Sequence, residues 1–149
     1  MAEINLTQAE ADALLAMKKY FVNRAIIAFP PRGHRKIFSL KSGDNREQFL
    51  LEIWRGRVDI RKVSLQNRAR QSVILLRLDL GSLPHRNPDG QKIASPHLHV
   101  YREGDGDRWA IPVPTEPFTS LDNPYKTMAE FMSYCNIVSP PQVQQELPE

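Results

Sequence analysis

Cysteine is almost absent from this sequence, since Cys135 is the single one among 149 residues. One thiol cannot form an intramolecular disulfide, and a disulfide-free chain fits a reducing compartment. Because Cys135 lies among apolar residues at helical spacing, we expect a small buried side chain and not a nucleophile. The cysteine content therefore excludes a disulfide-stapled secreted fold and favours a cytoplasmic protein.

Long hydrophobic runs are also absent. No apolar stretch approaches the roughly 20 residues that a membrane-spanning helix needs, and the first residues lack the basic and then apolar regions of a secretory signal. The charge balance is only mildly biased, with 20 basic residues, 17 acidic residues and a net charge of +3. These features predict a soluble cytoplasmic protein without a membrane partner, and they permit a nucleic-acid partner without requiring one.

The length and composition predict one domain. With 149 residues, of which 41% are hydrophobic, the chain can bury one core but is too short for two ordinary domains. We place this domain at residues 1–138. Residues 139–149 contain too few apolar side chains to pack, and we predict that they form a mobile tail.

The N-terminal part of the domain contains a strong helix signal. Thr7 and Glu10 have the spacing of a capping box, in which each side chain bonds the other residue's backbone N–H. Apolar residues then recur at helical spacing, which predicts a helix over residues 8–22. We expect Lys18 and Lys19 to lie on its solvated face.

A second helix is predicted near the other end, where Asn123 and Pro124 have the order of a cap and a first helical residue. Between the helices, short segments of alternating apolar residues are separated by turns rich in Gly, Pro and Asn. The predicted fold class is therefore α+β. It is a single domain with a curled, mostly antiparallel sheet of five or six strands, flanked by an N-terminal and a C-terminal helix on one sheet face.

Two neighbouring strands carry polar side chains on one face. The strand from Val73 to Leu80 places Arg77 and Asp79 on its exposed side, because residues two apart in a strand share a face. By the same alternation, three side chains of a later strand lie together, and a further histidine lies in the intervening loop. The predicted site consists of Arg77, Asp79, His85, His97, His99 and Tyr101.

This cluster is compatible with three interpretations. Histidines at i and i+2 stand roughly 6–7 Å apart on a strand, so His97 and His99 could bind one metal ion, with His85 or Asp79 as a third ligand. Alternatively, the three histidines could be the base and acid of metal-independent RNA cleavage, while Arg77 holds the phosphate. Asp79 would then fix a histidine tautomer or position Arg77. The third interpretation is a structural polar network.

Positive charge concentrates in the stretch that leads into this cluster. Between Arg55 and Arg77, seven basic residues accompany the single acid Asp59. The excess fits a phosphate-binding surface, or long cations that a strand presents to water. Two aromatic residues near the cluster, Tyr101 and Trp109, could stack on bases or simply pack. The basic residues are Arg55, Arg57, Arg61, Lys62, Arg68, Arg70 and Arg77.

Four segments carry a resemblance to known sequences: R-L-D-L-G, P-H-R-N-P-D-G, P-H-L-H-V-Y-R-E-G and W-A-I-P-V-P. Together they resemble a family of uncharacterised small proteins of bacteria, phages and mobile elements, from the first helix to residues 134–136. More remotely, the R-L-D segment at Arg77, His85 and the P-H-L-H segment at His97 are similar to the central pattern of TumE-like toxins of toxin–antitoxin systems. That resemblance implies a RelE-like ribonuclease architecture, although these toxins usually have adjacent histidines where Leu98 separates two here.

Two functional hypotheses are compatible with these features. The first is a toxin-like RNA-binding or RNA-cleaving domain that needs no metal and no other cofactor, with an antitoxin as its protein partner. The second is a non-catalytic interaction protein of a phage or mobile element, such as an inhibitor of host defence, with a host protein as its partner. RNA and an acidic protein surface select for the same cations, so the sequence leaves both partners open.

Overall fold

The computed structural model of the protein describes residues 5–23, 27–59 and 61–138. The tail predicted at residues 139–149 lies outside the described residues. In chain order, the helices and strands of the described residues are α1 (Gln8–Ala16), β1 (Lys19–Phe21), β2 (Arg35–Ser42), β3 (Gln48–Arg55), β4 (Val63–Ala69), β5 (Val73–Leu80), β6 (His85–Arg86), β7 (Lys92–Ile93), β8 (His97–Val100), β9 (Ala110–Pro112) and α2 (Pro124–Tyr134).

Both helices begin where the sequence predicts. The Thr7 side chain accepts from the Glu10 backbone N–H, and the Glu10 side chain accepts from the Thr7 backbone N–H. At α2, the Asn123 side chain accepts from the first backbone N–H groups of the helix, and Pro124 takes the first helical position. These bonds satisfy donors that a helix start would otherwise leave without partners. No helix in the described part of the chain is long and apolar enough to cross a membrane.

Seven strands form one antiparallel sheet in the order β1-β2-β3-β4-β5-β8-β9, and β6 and β7 form a separate two-stranded ribbon. Each strand of the main sheet pairs with the next one along the chain, apart from the ribbon inserted between β5 and β8. The predicted α+β class, with one helix at each end of a single domain, is confirmed. The sheet has seven strands, not five or six, because β1 adds an edge strand where a helix was predicted.

One face of the sheet forms the core together with both helices. The strand register places Ile53, Leu65, Leu78, Leu98 and Ile111 side by side across β3, β4, β5, β8 and β9. The first four are almost completely buried, and burying a side chain of this size contributes roughly 1.5–3 kcal/mol. Because side chains alternate along a strand, the opposite face is left for polar groups. The same core contains Ala11, Leu14, Met128, Phe131 and Met132 of the helices.

The prediction of a helix over residues 8–22 is wrong at its C-terminal end. The helix stops at Ala16, and Lys19 begins the edge strand β1. Lys19 is fully buried, in contrast to the predicted solvated position, whereas its neighbour Lys18 is exposed. A capping box specifies where a helix starts but not where it ends, so the sequence pattern could not separate these two lysines.

The buried ammonium of Lys19 joins the two ends of the domain. Its Nζ donates to the carbonyl oxygens of Leu15 at 2.8 Å, Met17 at 3.0 Å and Cys135 at 2.7 Å, which uses all three of its donors. These carbonyls lie at the C-terminal ends of α1 and α2, where helix dipoles favour a cation. Burial lowers the pKa of Lys19 to about 8, so the group is still protonated at neutral pH. Burial also raises the pKa of the Cys135 thiol to about 12, in agreement with an inert buried cysteine.

The two adjacent lysines provide a matched test of this contact. We expect Lys19→Met to lower the free energy of unfolding by about 1–3 kcal/mol, because it leaves three carbonyl groups without their donor. Lys18→Met should change it by less than about 0.5 kcal/mol. Urea denaturation of both variants measures the difference. Equal stability of the two variants would show that the cost of burying the ammonium cancels its three hydrogen bonds.

Candidate functional site

The face of the sheet opposite the core carries two adjacent rows of cross-strand neighbours. In each row, the residue on one strand is paired in register with the residue on the next strand, from β2 to β8. This register sets Asp79 opposite His97 and Arg77 opposite His99, so four predicted site residues lie together. The first row is Arg35, Trp54, Ser64, Asp79 and His97, and the second is Ile37, Glu52, Gln66, Arg77 and His99.

The carboxylate of Asp79 is the point at which the cluster converges. Its Oδ2 lies 3.2 Å from His99 Nε2, 3.5 Å from His97 Nε2 and 3.3 Å from Arg77 Nε. Its Oδ1 accepts a hydrogen bond from Ser64 Oγ at 3.0 Å. Burial opposes ionisation of Asp79, but the charge of Arg77 and the hydrogen bond from Ser64 favour it, and the pKa of this carboxyl is held below its usual value. The cluster is thus centred on a partly buried negative charge.

A backbone carbonyl fixes the tautomer of His99. Nδ1 of His99 lies 2.8 Å from the carbonyl oxygen of Asp107, which can only accept, so Nδ1 carries a proton. Arg77 Nη2, which can only donate, lies 3.0 Å from Nε2, so Nε2 accepts through its lone pair. Arg77 Nη1 also donates to Asp107 Oδ2 at 2.8 Å. Asp107 therefore orients both the imidazole and the guanidinium.

The two β8 histidines are sealed from solvent, with exposures of 2% for His97 and 1% for His99. Burial lowers the pKa of His97, although the charge of Asp79 opposes the shift. Its Nδ1 makes no hydrogen bond of standard geometry, and the backbone of Ala94 is the nearby group that favours protonation. Neither ring can exchange a proton directly with a ligand in solvent.

His85 covers these two rings from β6. Its ring centre lies 4.6 Å from that of His99 and 5.8 Å from that of His97. Its Nε2 donates to the carbonyl oxygen of Arg108 at 2.7 Å, and the residue is half-buried. The prediction that His85 reaches the β8 histidines is confirmed, and it is the most accessible of the three.

An open cleft lies over the same sheet face, beside the cluster. It has a volume of about 330 Å³, and Arg77 and Asp79 belong both to its lining and to the cluster. Trp54 supplies aromatic surface to the cleft, and Arg35 and Lys62 supply further positive charge. The cleft and the histidine cluster therefore share Arg77 and Asp79 and form one candidate site.

The two aromatic residues predicted for the site lie elsewhere. Tyr101 belongs to the core, where its hydroxyl donates to the Leu6 carbonyl at 2.8 Å and accepts from the Leu6 N–H at 2.9 Å. The prediction that Tyr101 shares a face with the histidines is wrong because β8 ends at Val100. Arg102 already stacks on Trp109, with its Cζ 3.9 Å from the ring centre. The aromatic residue that lines the cleft is Trp54.

The seven cations of the basic stretch do not form one surface. Arg55 is buried on the core side of β3, with Nη1 3.4 Å from the Pro30 carbonyl oxygen, so it cannot hold a phosphate in solvent. Arg57 and Lys62 are exposed in the connection between β3 and β4. The other four pair with carboxylates, most of them distant in sequence, and these pairs are Arg61–Asp59 at 3.1 Å, Arg68–Glu52 at 2.9 Å, Arg70–Glu47 at 3.2 Å and Arg77–Asp107 at 2.8 Å.

Four residues that build the candidate site were not predicted from the sequence. Ser64 and Trp54 could be found from strand alternation once the register of β3, β4 and β5 is known. Asp107 lies in a glycine-containing turn, and no pattern points to it. Asn87 lies in a turn motif, yet its side chain exchanges two hydrogen bonds of 2.8 Å with the backbone of Ala110. This bond pair fixes the β6–β7 ribbon, and with it His85, to the sheet.

The arrangement fits the predicted metal-binding geometry better than the predicted geometry for acid–base catalysis. Direct acid–base catalysis needs histidines that flank a phosphate-sized space, and two of the three are buried. Metal binding needs donor atoms that approach a common point. Ligand atoms of Asp79, His97 and His99 all lie within 4.8 Å of one another, and they form the one such group among the described residues. His85 does not belong to this group.

The fold and the cluster define an α+β domain in which a seven-stranded antiparallel sheet holds a His–Asp–Arg cluster, with its β8 histidines buried, beside an open cleft. The chain matches, over residues 6–137, the model of a family of unknown function (DUF6978), and it belongs to that family. No curated protein and no solved structure matches the chain. The family match agrees with the expected resemblance to an uncharacterised family, and it assigns no activity or partner.

The pH dependence of stability should report the charge of Asp79. We expect Asp79→Asn to lower the free energy of unfolding by about 1–3 kcal/mol at neutral pH, because it removes the anion that pairs with Arg77. The folded pKa of Asp79 is lowered, so its stabilising effect is complete above the unfolded value of about 4 and is lost as the pH falls through the folded value. The difference between wild type and variant should therefore shrink below about pH 4.

Urea denaturation at a series of pH values measures this difference. Asp122→Asn is the control, because Asp122 is exposed and lies outside the cluster. A pH-independent difference for Asp79→Asn would contradict the argument, because it would assign the effect to side-chain shape and not to charge.

Proposed function

We propose that this protein binds single-stranded RNA across the open sheet face from β2 to β5. The observation that carries the proposal is the combination of Trp54, Arg35 and Lys62 in one open cleft that continues to Arg77. Single-stranded nucleic acid is held by cations along its backbone and by aromatic side chains under its bases. The cleft offers both kinds of group on adjacent positions of a rigid sheet.

Trp54 is the group best placed to stack on a base. It is half-exposed on β3, between Arg35 of β2 and Ser64 of β4 in the cross-strand row. Because Trp54 lines the open cleft, a base that enters the cleft can stack on the accessible part of its ring. Trp109 differs because Arg102 already covers one face of its ring.

The cations of the cleft differ in how readily they can contact a phosphate group. Lys62 is exposed at one end. Arg35 lies 3.6 Å from Glu52, but its side chain is 65% exposed, so this pair is weak and can open toward a phosphate. Arg77 is held by Asp79 and Asp107 and presents a fixed positive group at the other end. We expect the backbone of the nucleic acid to run between these ends.

The burial of the histidines supports RNA binding more than RNA cleavage. A base or acid must reach the reacting oxygen directly or through one water molecule, and His97 and His99 are almost completely covered. Cleavage without a metal would need His85 as the group in contact with RNA. A toxin-like action on cellular RNA and a cytoplasmic location belong to this proposal, and the resemblance at Arg77 and the histidines supports them.

The two tryptophans make the binding test specific. The measurement is fluorescence anisotropy of a labelled single-stranded RNA of mixed sequence at low salt, with single-stranded DNA of the same sequence as a comparison. Trp54→Ala should weaken binding by about 1–3 kcal/mol, which is roughly 5- to 150-fold. Lys62→Glu should also weaken it and reduce its salt dependence. Trp109→Ala and Lys18→Glu are the matched controls and should bind as wild type does.

Two outcomes would decide against the proposal. If Trp54→Ala and Trp109→Ala had the same affinity for RNA, the cleft would not be the binding surface. If wild type bound no RNA at low salt, the cations of the face would instead fit an acidic protein partner, as the interaction-protein hypothesis expects. The same samples on a denaturing gel in EDTA report cleavage, and cleavage abolished by His85→Ala would extend the proposal from binding to catalysis.

A further inference from the structure

A cation bridges the contact between His99 and Asp79. His99 Nδ1 donates to the Asp107 carbonyl and Nε2 accepts from the Arg77 guanidinium, so Nε2 presents a lone pair 3.2 Å from the equally electron-rich Oδ2 of Asp79. Two acceptors at that separation repel each other unless a positive group bridges them. Arg77 provides the bridge here, with Nη2 3.0 Å from Nε2 and Nε 3.3 Å from Oδ2.

The same atoms have the spacing of a metal-binding site. A tetrahedral ion with bonds of about 2.0–2.1 Å holds its ligand atoms roughly 3.3 Å apart. Oδ2 of Asp79 lies 3.2 Å from His99 Nε2 and 3.5 Å from His97 Nε2, and the three ligand groups are within 4.8 Å of one another. Two imidazoles and one carboxylate form a donor set that suits zinc and leaves a fourth position open.

The surroundings of these donors support the same inference. A histidine that binds a metal through one nitrogen usually donates its other N–H to a carbonyl or carboxylate, and His99 does so to Asp107. The second oxygen of Asp79 is held by Ser64 at 3.0 Å. The outer partners that orient metal ligands are thus present for two of the three donors.

We propose that Asp79, His97 and His99 bind one divalent zinc-type ion and that Arg77 occupies its place when the ion is absent. On binding, the ion would replace the contacts of Arg77 with Asp79 and His99, and Arg77 would keep its 2.8 Å bond to Asp107. The ion and the guanidinium therefore compete for one negative pocket. This site goes beyond the RNA-binding proposal, and its test contains no RNA, so either proposal can fail alone.

Titration of the full-length, chelator-treated protein with Co²⁺ or Zn²⁺ tests the site. Wild type should bind one equivalent of Co²⁺ with the visible absorption of a tetrahedral site, and Zn²⁺ should displace it. His99→Gln should lower the Zn²⁺ affinity measured by calorimetry by more than about tenfold, because it removes a ligand. His34→Gln is the control, because His34 is exposed and lies outside the cluster, and it should bind as wild type does.

Arg77→Met separates competition from a purely structural role and does not depend on removing a buried ligand. It keeps all three donors and removes the competing cation, so Zn²⁺ should bind about tenfold more tightly or better. An affinity for Zn²⁺ that is unchanged or weaker in Arg77→Met would overturn the proposed competition. No binding by wild type, or equal binding by wild type and His99→Gln with both folded by circular dichroism, would overturn the site itself.

Discussion

A partly buried carboxylate is the constraint on which this site depends. An ionised group that leaves water must regain its lost solvation from donors and cations in the protein. Asp79 does so with Ser64 on one oxygen and with Arg77 on the other, where Arg77 also bridges it to the β8 residue His99. These partners come from three strands, so the carboxylate can keep its charge only when β4, β5 and β8 are paired in one register. A slip by one residue would turn Asp79 into the core.

Arg77 links the buried cluster to the surface. Its guanidinium contacts Asp79, Asp107 and His99 on one side and borders the open cleft on the other. It neutralises the carboxylates and also bridges acceptors that would otherwise repel each other. A change in what Asp79 binds therefore alters the positive group that the cleft presents to a ligand. The reason is that the Arg77 side chain contacts Asp79 and also lines the cleft.

Local sequence patterns predicted much of the fold because local physics decides those features. The capping box at Thr7 and the Asn-Pro start of α2 specify helix beginnings through hydrogen bonds within a few residues. The alternation in β5 specifies that Arg77 and Asp79 share a face. The prediction from side-chain alternation was wrong for Tyr101, where the regular strand pairing ends. Tyr101 follows His97 and His99 at even spacing, yet its N–H pairs with Leu75 where β5 is irregular, and its ring enters the core.

The sequence by itself determined that Arg77 and Asp79 share a strand face, where the helices start, and that three histidines, an arginine and an aspartate are neighbours. Only the tertiary structure decided that His97 and His99 are buried, that Lys19 differs from Lys18, and that the basic stretch is largely paired. The physical reason is that burial and charge pairing depend on groups far apart along the chain. Asp107 is 30 residues from Arg77, and Cys135 is 116 residues from Lys19. No local pattern contains information about such partners.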